Sequence, residues 1–259
     1  MQETDLALLS DAVRLAARVA TSYTGRSARF WDKPDGAGPV TEADLAVNAC
    51  LEATLRLSRP DYGWLSEESE DTADRLSRET VFIVDPIDGT RSFQEGSRTW
   101  AHSVAIAHQG RITAGAICLP QRDKLYTAAE GCGAFLNGTP LSASAGREIT
   151  GCELLAARPT TDPDHWHEGV VPGFRRAYRP SLAYRLGLVG EGRFDGMLTF
   201  RPTWEWDIAA GAIIVAEAGG ICSDKSGAAL RFNNEKPLLN GVVAAGRDMH
   251  PGLITALRR

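Results

Sequence analysis

The chain is poor in cysteine and shows no cysteine pattern. Cys50, Cys118, Cys132, Cys152 and Cys222 are five in number, and no two form a C-x-x-C pair. An odd count without that spacing excludes a disulfide framework and a cysteine-built zinc site. It leaves free thiols suited to a reducing cytoplasm, the expected location. Basic charge is not in excess either. Lysine and arginine number 28 against 33 acidic residues, a formal net charge of -5. A nucleic-acid polymer needs a basic stripe, so none is expected as partner. A few bound cations can still invert the sign of one local site, which leaves room for a small anionic substrate. No apolar run reaches the about 18 residues of a membrane span, so no membrane partner is expected. The most apolar helix-like segment, Ile208 to Ala218, is interrupted by Glu217. Met1 to Asp5 carry no basic stretch leading into an apolar run, so no signal peptide is expected.

What remains is a chain of 259 residues, 43% hydrophobic and 24% charged, enough for one large core or two smaller ones. Leu6, Leu9, Val13, Ala16, Ala17 and Ala20 recur at helical spacing, which predicts a helix from Leu6 to Tyr23 with Asp5 as its N-cap. Asp32 to Pro39 read as a loop by their proline and glycine content. Thr41 and Asp44 then form a capping-box pattern opening a helix to about Leu57. Tyr62 to Leu65 suit a short strand, Ser69 to Glu79 a loop or short helix, and Val81 to Val84 a buried strand. From His102 to Tyr126, alternation with turns at Gln109-Gly110 and Pro120 to Asp123 predicts an antiparallel meander, continued by a hairpin at Asn137-Gly138. Leu141 to Gly151 are small and polar, so two subdomains are expected, residues 1–145 and 146–259. The second alternates strands (Glu153 to Ala157, Asp195 to Thr199, Gly241 to Ala245) with helices (Ser181 to Gly190, Trp206 to Ala218). The fold class is therefore α/β, with an α+β first half and an α/β second half.

The chemistry concentrates where the apolar strand ends, at Asp85-Pro86-Ile87-Asp88-Gly89-Thr90. Pro86 biases Asp85 away from helix, and Gly89 permits a sharp change of direction. Such a turn aims two carboxylates and the Ile87 carbonyl at one point. The same residues also make a good turn with no further purpose. Two other acidic sites shift the balance. Glu67-Glu68 end another short strand, and Asp207 opens an apolar helix between bulky tryptophans. Acids in a helix's first turn are favoured by its dipole, but a buried carboxylate needs a partner. A hard divalent cation such as magnesium, with its preference for oxygen ligands, is the natural one.

These segments resemble the signature set of the inositol monophosphatase family. Glu67-Glu68, Asp85 to Thr90, Trp206-Asp207-Ile208-Ala209-Ala210-Gly211 with Ala216 to Gly220, and Pro39 to Asp44 occur in the family's order from about residue 5 to 250. The resemblance implies a layered α-β-α-β-α sandwich of the sugar phosphatase type. It implies two or three magnesium ions held by Glu67, Asp85, Asp88, Asp207 and the Ile87 carbonyl, with Glu68 in support. It implies that Glu67 and Thr90 orient the attacking water while Asp44 holds Thr90. Asp88, Gly89, Thr90 and Asp207 would also meet the substrate. The implied activity is lithium-sensitive hydrolysis of a small phosphate monoester, commonly by a homodimer.

The substrate is less legible. The family covers inositol monophosphates, 3'-phosphoadenosine 5'-phosphate, histidinol phosphate and fructose 1,6-bisphosphate. Glu205 directly before Trp206-Asp207, and Leu65-Ser66 before the paired acids, resemble the bisphosphate nucleotidase branch, whereas Asp85 to Thr90 suit inositol phosphatases equally. Ser181 and Tyr184 stand where the family brings a segment over the substrate. Arg185 and Arg201 are candidates to neutralise a second phosphate. Lys33 is a candidate for substrate or metal-shell contact. The histidines match no ligand motif: His102 reads as unremarkable, and His165 and His167 as surface loop. A non-catalytic metal or phosphate sensor of the same fold would be expected to lose Thr90, Asp44 or a ligand. All are present.

Overall fold

The computed structural model describes residues 2–23, 28–33 and 38–258. Residues 34–37 of the loop expected between Asp32 and Pro39 lie outside the described residues. In chain order the elements are α1 (Gln2–Ser22), β1 (Phe30–Asp32), β2 (Pro39–Thr41), α2 (Glu42–Ser58), β3 (Gly63–Ser66), β4 (Thr80–Asp88), α3 (Thr90–Gln94), β5 (Ala101–His108), β6 (Arg111–Leu119), β7 (Lys124–Ala129), β8 (Gly133–Leu136) and β9 (Thr139–Pro140). They continue with β10 (Glu153–Ala156), β11 (Arg175–Ala177), α4 (Leu182–Gly190), β12 (Gly196–Thr199), β13 (Thr203–Trp204), α5 (Glu205–Glu217), β14 (Gly220–Ser223), β15 (Leu238–Leu239), β16 (Val242–Gly246) and α6 (His250–Ala256).

A seven-stranded sheet runs in the order β3 to β9, parallel at β3–β4 and antiparallel after. A five-stranded sheet has the order β11-β10-β12-β16-β14. Its first three strands are parallel, and β16 runs antiparallel to both its neighbours. The two-residue period of a strand distributes side chains between layers. Phe82 and Val84 of β4 join Leu9, Val13, Ala16, Val47, Leu51 and Leu55 under α1 and α2. Val81 and Ile83 point the other way, to a core shared with α4, α5 and Leu155, Met197, Val242 and Ala244 of the smaller sheet. Leu154, Leu198 and Val243 cover that sheet's far face with Trp166 and Leu253. The layers are therefore α, β, α, β, α. Helix α5 is apolar around most of its circumference because a sheet covers each side of it.

The antiparallel meander and the Asn137-Gly138 turn, with φ of 49° and 82°, are as the sequence indicates. Strand β4 runs further than expected, through Asp88. Asp5 is not an N-cap. It sits inside α1, buried, where its Oδ1 accepts from Arg59 Nη2 at 2.7 Å and Nε at 3.0 Å. A carboxylate removed from water takes the guanidinium at the C-cap of α2 as counter-charge. Among the described residues no helix is long and apolar enough to cross a membrane.

The central layer is tight. A Cβ on Gly115 of β6 would lie 2.8 Å from Ile213 Cγ2 and 2.9 Å from Ala210 Cα. Backbone cannot yield as a flexible side chain does. Gly115→Ala is therefore expected to lower stability by about 1–3 kcal/mol in denaturant unfolding, the usual cost of overpacking.

Candidate metal centre

The centre forms where the parallel pair β3–β4 ends. Glu67 follows β3, its N–H still donating to Val84 O at 3.2 Å, while Asp85 and Asp88 end β4. The β4–β5 ladder shifts register between these aspartates: Asp85 faces Ser103 and Asp88 faces Ala101. Pro86 and Ile87 thus oppose one residue, His102. Such a bulge re-aims side chains. Gly89 then turns the chain with φ of 97°, a conformation natural to glycine, and α3 begins at Thr90. Asp207 arrives from the first turn of α5.

One carboxylate oxygen from each of Asp85, Asp88 and Asp207 lies within 4.8 Å of the others. Asp85 is buried, and its Oδ1 has no hydrogen-bond partner among the described residues. Burial, then repulsion from Glu67, Asp88 and Asp207, holds the Asp85 carboxyl well above the ordinary carboxylate range. Burial and repulsion from Asp88 and Glu67 do the same for Asp207. Asp88 is pushed to about 6 by burial, against the pull of its hydrogen bonds from Ser181 and Ala183. Hard, converging, mutually repelling oxygens with an unpartnered buried atom fit a divalent cation. Among the described residues these three aspartates are the group able to hold a metal. The fourth expected ligand, Glu67, stands close enough to be a leading cause of the Asp85 shift. Its Oε1 meets Lys33 Nζ at 2.8 Å, and Glu68 Oε1 meets the same ammonium at 2.7 Å. Burial and then Glu67 raise Glu68 to about 7.

Beside the carboxylates lies a hydroxyl held by an acid. Thr90 Oγ1 stands 3.2 Å from both Asp44 Oδ1 and Ile87 O, to either of which it can donate. Asp44 Oδ2 accepts from Thr41 N at 2.9 Å and Thr41 Oγ1 at 2.5 Å, closing the capping box read from the sequence. Asp44 is buried, and burial raises its carboxyl to about 6 against the Thr41 bonds. The same carboxylate therefore caps α2 and fixes Thr90.

The substrate-facing candidates separate. Ser181 is fully buried. It caps α4 by accepting from Tyr184 N at 3.0 Å and donates to Asp88 Oδ2 at 2.6 Å, beside Ala183 N at the same distance. Tyr184 belongs to the core, with Arg122 stacked over its ring. Arg185 is not a solvated surface group. It is buried, lies 4.6 Å over the Tyr178 ring and donates from Nε to Arg179 O. With exposed Arg201 it lines a cavity of about 390 Å³, together with His165, Tyr178, Leu182 and Phe200. The cavity opens at the C-terminal ends of β10 and β12, where open α/β sheets receive ligands. Arg185 feels the charge of Asp88, and Asp207 that of Arg201, so cavity and acidic cluster adjoin.

Two hints toward a nucleotide turn inward. Glu205 is 0% exposed and accepts from Asn233 N, Asn234 N and Asn234 Nδ2 at 2.6–3.0 Å, an internal brace. Leu65 and Ser66 are buried, with Ser66 Oγ donating to Asn48 Oδ1. His102, which no motif marks, is buried with Nδ1 2.5 Å from Pro86 O. Only the strand register, absent from any local pattern, could have found it.

The model of the Inositol monophosphatase family matches residues 1–259. An inositol-1-monophosphatase of Rhizobium meliloti is 34% identical, covering 81% of this chain and 78% of the relative. A histidinol-phosphatase of Chlorobaculum parvum is 33% identical over 98% and 96%. The Nus factor SuhB of Escherichia coli is 30% identical over 95% and 93%. Among solved structures, the extragenic suppressor protein suhB of Bartonella henselae superposes with a TM-score of 0.80 at 30% identity, covering 97% of each chain. The Thermotoga maritima IMPase gives 0.81 at 27% identity, over 98% and 96%.

Proposed function

The chain belongs to the inositol monophosphatase family, and from that premise we propose that it is a magnesium-dependent phosphomonoesterase acting on a small soluble ester. The observation that carries this is the convergence of Asp85, Asp88 and Asp207, with a buried oxygen on Asp85 that has no partner among the described residues. Glu67, Asp85, Asp88, Asp207 and the Ile87 carbonyl would hold two or three magnesium ions. When bound, magnesium lowers the pKa of a water and offsets the charge of the phosphate dianion. The chain's own groups do the rest. Asp44 accepts the hydrogen bond of the Thr90 hydroxyl, which leaves the Thr90 oxygen's lone pairs free to accept from the attacking water and orient it. Glu67 takes that water's proton as its oxygen attacks phosphorus. The ester P–O bond breaks, and the alkoxide leaves and is protonated by solvent. The Gly89 and Thr90 N–H groups donate to phosphate oxygens. Glu68 and Lys33 fix the charge and place of Glu67, and Ser181 fixes Asp88. In this reading the enzyme is cytoplasmic, homodimeric and inhibited by millimolar lithium. Its ligands are divided between subdomains 1–145 and 146–259.

The cavity beside the cluster bears on the leaving group. Tyr178, Phe200 and prolines offer apolar faces, and two arginines offer positive charge. That lining suits an ester with a planar body and a second anion, such as 3'-phosphoadenosine 5'-phosphate, better than a neutral polyol. The relative named inositol-1-monophosphatase favours inositol 1-phosphate as the second reading. Phosphate release from both substrates decides. A charge-assisted contact contributes about 1.5–3 kcal/mol, so kcat/KM is expected to favour the nucleotide at least about tenfold. Arg201→Gln should erase that preference, lowering kcat/KM for the nucleotide far more than for inositol 1-phosphate. A preference for inositol 1-phosphate would remove Arg201 from the substrate contacts and select the second reading.

A further inference from the structure

We propose that His102 is a positioning residue, whose Nδ1–H holds the Pro86 carbonyl and thereby the bulge that aims Asp85, Asp88 and the Ile87 carbonyl at one point. The inference rests on the metal-centre reading above. A bulge leaves backbone groups without their ladder partners. Here Pro86 and Ile87 face the single residue His102, because the register passes from Asp85↔Ser103 to Asp88↔Ala101. Proline has no N–H to give to a ladder, and its carbonyl must find a donor once buried. The donor is a side chain: His102 Nδ1 lies 2.5 Å from Pro86 O. A carbonyl oxygen only accepts, so Nδ1 carries the proton and Nε2 is the bare nitrogen. Nε2 is buried with no protein hydrogen-bond partner among the described residues. Packing fixes the ring. His102 is fully buried and meets the Trp100 ring edge to face at 5.5 Å. Burial pushes its pKa down to about 4.

A buried unsatisfied nitrogen costs stability. At an ordinary core position a leucine would serve better. The cost is understandable if the imidazole is there for its other nitrogen. Groups that orient a metal's ligands from behind typically change metal affinity about 10–100-fold when removed. Among the described residues the hydrogen bond of His102 is to the Pro86 carbonyl, so its effect is on where the ligands stand.

The test is manganese binding without substrate, followed by the EPR signal of free Mn²⁺, with the thermal midpoint of each variant measured beside it. His102→Leu keeps an apolar core and removes the donor. It is expected to weaken Mn²⁺ at least about tenfold. His102→Asn puts an amide N–H where Nδ1 stood and is expected to bind within about threefold of the parent, whereas His102→Gln carries its N–H one bond too far and should bind like the leucine variant. Equal affinity of the leucine variant and the parent, or an asparagine variant as weak as the leucine one, overturns the assignment. Should the leucine variant fail to fold, the asparagine and glutamine pair decides: tighter binding by asparagine supports it, and equality overturns it. A parent protein that binds no Mn²⁺ overturns the metal-centre reading itself, and this inference with it.

Discussion

Asp88→Asn is expected to lower kcat/KM at least about a thousandfold while the protein folds as before. The fixed neighbours of Asp88 make this substitution sharper than loss of charge alone. Its Oδ2 accepts from Ser181 Oγ and Ala183 N, each at 2.6 Å. An asparagine must give its one oxygen to those two donors. Its NH₂ then points into the cluster, where a cation requires a lone pair. The variant replaces a ligand with a donor in the same shape. Loss of several kcal/mol of transition-state stabilisation follows, and each 1.4 kcal/mol or so is tenfold in rate. Folding is spared because a repelling carboxylate leaves a crowded group. Steady-state phosphate release and a melting curve check both halves. Turnover near that of the parent would remove Asp88 from the metal-ligand set.

The second large effect is on stability against pH, and its sign reverses with magnesium. Asp44, Glu68 and Asp88 are raised to about 6, 7 and 6 in the folded chain, in each case by burial first. The unfolded chain titrates them near the ordinary value of about 4. An acid whose folded pKa is raised binds its proton more tightly when folded. The stability this gives is complete below about pH 4 and is lost as pH rises through about 6 to 7. Without divalent cations the thermal midpoint should therefore fall by several degrees between about pH 5 and pH 8. On the proposed reading magnesium binds the deprotonated carboxylates of the folded state alone, so in millimolar magnesium the midpoint should rise over the same interval. Asp85→Asn removes the most crowded charge and should raise the metal-free midpoint at pH 8 while abolishing the magnesium effect. A midpoint that rises with pH in chelator would contradict the electrostatic picture of the site.

Some of this was open to reading and some was not, for separable reasons. The helical spacing of Leu6 to Ala20, the buried run Val81 to Val84 and the Asn137-Gly138 turn are local, and each element stands where its pattern puts it. The acids were legible as a set because residue type and order carry them. Distances among them belong to the fold. Asp5 was misread because its partner, Arg59, lies 54 residues away. Glu205 resembled a specificity mark, yet its acceptors' partners are Asn233 and Asn234, across the chain. The short strands β11, β13 and β15 have two or three residues each, too few for any periodicity. Arg185 was legible only as a candidate to neutralise a second phosphate, because nothing local announces its burial against the Tyr178 ring. His102 was invisible for the deepest reason: its place is set by the register of β4 against β5, and a register is a property of two strands.

The most direct measurement is inorganic phosphate release from 3'-phosphoadenosine 5'-phosphate and from inositol 1-phosphate, with magnesium and after EDTA. The account requires release from at least one of them in magnesium, its loss in EDTA, and its return when magnesium is restored. No release from either ester in magnesium, or release undiminished by EDTA, would contradict it.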